Sequence, residues 1–310
     1  MSDSISTGPK ASFQWKTVTT LGAATWLVTS QLAGCSPEDG APAEGEGEGE
    51  STLTQPLVGG EGEGGEGEGG EGEGGEGEGG EGEGGEGEGG ATVGADFATN
   101  DVAYLTQLGL IRGHLAVGYA LYQHDLPELS ETHMKHPREE IYAAVVPAFA
   151  ARGCDGFADG LTALTQAVVD RAEAAEVTAV YEALTTAIGR CEQTAATGDP
   201  AVMAKVIEQL LRTAGVEYQI GVVDGAIDNL HEYQDAWGFT EVAAMWSRSA
   251  AFGATPAATA VAGQIQDVIV GLDGLWPSLA PDGAVDGDAA QLFGAAGGVE
   301  VAALPLSQER

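Results

Sequence analysis

Lysine and arginine are scarce in this 310-residue chain, 12 against 48 aspartates and glutamates, for a formal net charge of −36. A nucleic-acid binder that tracks phosphates needs clustered positive charge, so that class of partner is excluded. Cations and cationic surfaces are the electrostatically favoured ones. Cysteine is limited to Cys35, Cys154 and Cys191. The weakly apolar run Val18 to Leu32 is too short and too rich in Thr, Ser and Gln to span a bilayer as a helix. Neither a Gly-x-Ser-x-Gly elbow nor a His-Glu-x-x-His pair is present, so nothing points to hydrolysis and the chain reads as a non-enzyme. No segment alternates polar and apolar residues over the length of a strand, which argues against a sheet.

Glycine is abundant, at 49 residues, and unevenly placed. Residues 61–90 are six copies of Glu-Gly-Glu-Gly-Gly, and residues 38–50 hold six more acids. Such a stretch has no apolar group to bury and cannot offset its ordering entropy, so residues 35–95 are expected to be a disordered acidic linker spanning roughly 40 Å or more. The alternative is a weak sponge for Ca²⁺ or another hard cation. Ahead of it, Lys10 and Lys16 precede the apolar run as in an export signal, residues 1–34. Leu32-Ala33-Gly34-Cys35 resembles the lipobox of bacterial lipoproteins, and the resemblance implies that Cys35 becomes the lipidated first residue of the mature chain. That places the protein in the cell envelope, held on the membrane by its lipid and facing the periplasm, in the outer membrane of a Gram-negative bacterium. The alternative is a chance cysteine after an ordinary signal peptide.

Residues 96–310 read as all-α, a bundle of about seven or eight helices. Leu105, Leu108, Ile111, Leu115, Tyr119 and Tyr122 make one helical stripe over residues 101–124. Pro137 reads as the first residue of a second helix continued by Ile141, Val145 and Phe149. Between Cys154 and Cys191 two helices fold back near residues 171–176. Equal antiparallel arms would bring both cysteines to the open end, where a disulfide suits an oxidising compartment; two unpaired core thiols are the alternative. Asp199-Pro200 opens a helix to Gly221, Val222 to Ile227 is a tight turn flanked by apolar residues, and Asn229 caps a helix to Phe252. Thr255-Pro256 opens another toward Trp276, and a last one lies between Asp288 and Leu304.

Four of the five histidines fall within 23 residues: His114, His124, His133 and His136. His114 faces the core, flanked by Gly113 and Gly118, and a helical glycine costs about 1 kcal/mol unless a close approach compensates. His133, His136, Glu139 and Glu140 surround one helix start. A second focus pairs Glu217 with His231, Glu232 and Asp235, Glu232 and Asp235 sharing a face. Imidazole with carboxylate suits iron, zinc or copper in a bundle core. If the helix carrying His231 packs on that carrying His114, Glu217, Glu232 or His231 completes one mixed site with His114 and residues 133–140. Read singly, His114 is a core histidine, His124 a solvated helix end, and Glu139 and Glu232 helix caps.

Arg112 to Gly118, His133 to Tyr142, Glu217-Tyr218, Val223 to Gly225, His231 to Asp235 and Leu-Trp-Pro near residue 276 together resemble periplasmic helical proteins of bacterial iron uptake. Within these, the chain is similar to imelysin-like iron-regulated proteins and to the domains accompanying high-affinity iron permeases. His136-Pro137-Arg138-Glu139 matches the His-x-x-Glu part of the imelysin-like Gly-x-His-x-x-Glu motif, with Met134 where the glycine stands. The resemblance implies a bound transition metal, iron foremost, a role in its uptake or homeostasis, and a metal permease as partner. A non-catalytic scaffold lipoprotein with incidental histidines, and more remotely a zinc peptidase, are the other readings.

Overall fold

Asn100 opens the first helix: its side-chain oxygen accepts from the Ala103 N–H at 3.1 Å, and α1 runs Asp101–Gln123. The computed structural model describes residues 96–307; the expected export signal, Cys35 and the linker lie outside the described residues. After α1 come α2 (Pro127–His136), α3 (Ala143–Arg152), α4 (Ala158–Val169), α5 (Ala174–Glu192), α6 (Pro200–Gly221), α7 (Leu230–Trp246), α8 (Pro256–Val270) and α9 (Ala289–Ala303). That is nine α-helices among the described residues. Strands β1 (Val222–Val223) and β2 (Ala226–Ile227) form the tight turn, with Asp224 and Gly225 at φ 53° and 76°. The protein is therefore all-α, as the sequence implies.

α1 and α6 are the central helices, buried on nearly every side. α2 and α5 pack on α1, α4 joins them, and α7 and α9 flank α6. Leu105, Leu108, Ile111 and Leu115 are fully buried as the stripe requires, each stabilising the fold by about 1.5–3 kcal/mol. Tyr119 and Tyr122 are only half-buried; Tyr119 stacks on Tyr181 with centroids 4.2 Å apart.

Three boundaries differ from expectation. Pro137 does not open a helix. The proline at a first helical position is Pro127, and the chain passes from α2 through a π-helical turn, Pro137–Tyr142, straight into α3. Pro137 has helical φ of −56°, and the wider π turn accommodates the ring and missing N–H that an α-helix interior would not. His133 and His136 accordingly sit at a helix end, not a start. α7 stops at Trp246 and α8 at Val270, and single 3₁₀ turns over Ala250–Gly253 and Asp273–Leu275 fill the segments expected to continue them. Cys154 and Cys191 are bonded, with Cα atoms 5.2 Å apart, and clamp the open end of the α4–α5 pair.

Two glycines set how closely α1 and α7 approach. A Cβ on Gly238 would lie 2.5 Å from the Gly113 carbonyl oxygen, and one on Gly113 would lie 2.3 Å from the Phe239 ring. Gly238→Ala is therefore expected to force the helices apart and to lower stability by about 1–3 kcal/mol. Gly297→Ala on α9, where a Cβ meets nothing within 4 Å, should be neutral or stabilising. Thermal melting of the two variants checks the contrast.

Candidate metal centre

The α1–α7 crossing at Gly113 and Gly238 puts His114, the next residue on α1, beside Asp235, one turn back on α7. Asn229 caps α7 by accepting from the His231 N–H at 3.0 Å, which starts the helix so that His231 and Asp235 stand four residues apart on one face. α2 reaches the same place. Its last turn carries His133 and His136 three residues apart, and α2 lies close to α1 because Gly118 leaves room for Met134, while Ser130 Oγ donates to the Gly118 carbonyl at 2.7 Å.

Asp235 is at the centre of the arrangement and completely buried. Its Oδ1 lies 2.8 Å from His114 Nδ1 and 2.9 Å from His133 Nδ1, and its Oδ2 lies 3.0 Å from His231 Nδ1. The rings crowd one another: His133 stacks on His231 with centroids 4.1 Å apart, and His136 meets His231 edge-on at 4.7 Å and His114 at 5.2 Å. The donor atoms fall into two groups, His114, His133 and Asp235, and His136, His231 and Asp235, each with all its atoms within 4.8 Å of one another. Three side chains of the first group are sealed from solvent, whereas His231 keeps 18% of its side chain exposed and His136 is half-buried.

One hydrogen-bond chain fixes the chemistry of His133. Gln234 Nε2 donates to the Leu279 carbonyl at 2.7 Å, so its Oε1 must face His133 Nε2, 2.8 Å away. An amide oxygen only accepts, and His133 therefore carries its proton on Nε2. Its Nδ1 then turns a lone pair toward Asp235 Oδ1, and two acceptors 2.9 Å apart require a cation to join them. A proton is disfavoured there, since burial pushes the His133 pKa down against the pull of Asp235. Burial also pushes Asp235 up, but the neighbouring imidazoles, His114 foremost, outweigh it and hold the carboxyl well below its usual range. An ionised carboxylate, neutral imidazoles and an outer amide that orients one of them make a metal-ligand set. Gln234→Leu, which leaves both groups in place, is expected to weaken metal affinity roughly 10–100-fold in a chelator competition titration.

Of the residues singled out from sequence, His114, His133, His136 and His231 come together. Glu139 is exposed and in neither group, and the side chain of Glu140 lies outside the described residues. Glu217 is buried on α6, and Glu232 is half-buried on α7 with Oε2 sealed from solvent; neither belongs to a group. The carboxylate at the centre is Asp235, for which the His-x-x-x-Asp spacing from His231 was the available signal. Gln234 left no such signal, because its role depends on Leu279, 45 residues away. His124 is an exposed helix end.

The second half of the site lies on α7, within the four successive helices α6 to α9. Residues 193–302 match the family model of the iron permease-associated 4-helix bundle domain. Neither a curated protein nor a solved structure gives a match. The matched segment spans α6, α7, α8 and nearly all of α9, and contributes His231, Gln234, Asp235 and Leu279. His114, His133 and His136 come from α1 and α2, ahead of it.

Proposed function

We propose that this chain captures a transition-metal ion, iron foremost with zinc or copper as chemically acceptable alternatives, and assists its uptake or homeostasis. The observation that carries the reading is the convergence of four imidazoles on one buried carboxylate, with His133 held by Gln234 in the tautomer that offers its lone pair. The match of residues 193–302 to an iron permease-associated domain supports iron as the ion and a permease as the recipient. The action is capture rather than catalysis: neutral imidazoles and an ionised carboxylate bind, and an acidic chain of net charge −36 concentrates cations around them. Anchoring by a lipid at Cys35, with residues 35–95 as the tether, would let the domain reach a membrane partner from the periplasmic side.

The deciding experiment is elemental analysis and calorimetry of the full chain with iron(II), copper(II) and zinc(II), beside His114→Ala/His136→Ala. Stoichiometric binding lost in the double variant is the expected result; no binding in the wild type would leave a tethered scaffold in place of a capture protein.

Acid should release the ion. Burial opposes charge on His231, but its hydrogen bond to Asp235 and the Asp235 charge outweigh burial and raise its pKa. Protons therefore compete for this ligand at higher pH than for an ordinary histidine. A raised folded-state pKa stabilises the fold below the unfolded value near 6.5, a gain lost as pH rises through the folded value. His133, with a lowered pKa, works in the opposite sense and partly offsets it. Dialysis from about pH 7.5 to about pH 5 is expected to strip metal while far-UV circular dichroism keeps its helical signal. Unchanged metal content across that range would remove histidine from the ligand set.

A further inference from the structure

We propose that the centre holds two metal ions bridged by Asp235, an inner ion sealed in the core and an outer ion at its mouth; this rests on the capture function above.

The two donor groups share only Asp235. Oδ1 faces His114 Nδ1 and His133 Nδ1, and Oδ2 faces His231 Nδ1. A carboxylate that presents one oxygen to each of two nitrogen sets is the geometry of a bridge between ions roughly 3.5–4 Å apart. The inner position has its own requirement for a cation, since the His133 lone pair and Asp235 Oδ1 face each other at 2.9 Å with the ring proton committed to Gln234. At the outer position His231 Nδ1 and Asp235 Oδ2 stand 3.0 Å apart, with the His136 ring edge-on to His231 at 4.7 Å.

The exposures give the positions different roles. His114, His133 and Asp235 are sealed, whereas His231 and His136 retain contact with solvent. Of the five ligands only His136 and His231 meet solvent, so the outer position is expected to fill last and empty first.

The test loads the metal-free full chain with cobalt(II), desalts it to remove ions held loosely by the acidic Glu-Gly run, and counts cobalt per chain. The parallel variant is His136→Ala/His231→Ala, which changes only the partly exposed ligands and leaves the sealed group intact; circular dichroism confirms that it folds. Two retained equivalents in the wild type and one in the variant are expected, with the visible absorption of the remaining cobalt showing nitrogen ligation. One equivalent in the wild type would overturn the two-ion centre while leaving single-ion capture standing. Two equivalents in both proteins, or none in the variant, would equally overturn it. None in the wild type would overturn capture itself.

Discussion

Asparagine at position 235 should leave the folded chain without a tight metal site. The substitution keeps the shape of the side chain but removes the anion from both donor groups at once, so the expected loss exceeds the roughly 100-fold upper range for an outer-shell partner such as Gln234. Desalted Asp235→Asn protein should carry no stoichiometric cobalt or iron. The metal-free protein should suffer too. A folded-state pKa held below the ordinary carboxylate value contributes stability above about pH 4 that is lost as pH falls through the folded value. Asparagine removes that contribution and leaves imidazoles facing an uncharged amide. Leaving buried imidazole groups without their acceptor costs about 1–3 kcal/mol, which urea unfolding at neutral pH would read directly. Glu139→Gln is the matched control: Glu139 is exposed, and its variant should bind and unfold like the wild type. If Glu139→Gln lost the ion and Asp235→Asn kept it, the carboxylate would be misassigned.

Removing the disulfide should be the largest purely structural loss. Cys154 and Cys191 are 37 residues apart in sequence, and releasing a loop of that length from the unfolded chain costs about 4 kcal/mol of stability by the chain-entropy account. For a domain of this size that is a fall of about 8–16 °C in melting temperature for Cys154→Ala/Cys191→Ala. A fall of only a degree or two would mean that packing of Leu161, Leu164, Leu184 and Ile188 alone keeps α4 and α5 together. The clamp also bears on the metal centre, because Thr165 Oγ1 on α4 donates to the Met134 carbonyl at 2.9 Å, between His133 and His136. A loosened α4 should therefore weaken metal retention as well as stability, and both can be followed on one reduced sample.

Helix signals written locally were legible in the sequence. The helix starts at Asp199, Asn229 and Thr255 act as expected, each side chain accepting from first-turn N–H groups of its helix, and Asp288 does the same for the last helix. The tight turn at residues 222–227 and the cysteine pairing followed from equally local spacing. The continuity of α2 into α3 was not legible, because proline normally marks a boundary and the π turn that absorbs it has no sequence signature. The histidines were visible as a cluster, and their meeting depended on helix packing that periodicity does not specify. Asp235 was hidden by its neighbours: Glu232 has better capping spacing, and Glu139 fits a known motif. Burial decided between the carboxylates, and burial is a property of the folded chain.

The contact between Gly113 and Gly238 brings main chain close to main chain, with the Phe239 ring and Val117 packed tightly alongside. Side-chain rearrangement elsewhere in the core cannot alter that separation, as it can where leucines or methionines interdigitate. The gap between His114 and Asp235 thus behaves as a fixed gauge, and an ion of the wrong radius cannot be accommodated by widening it. Discrimination by size is then built into two residues that carry no ligand atom, and a chain altered to prefer a larger ion would have to change its glycines before its histidines.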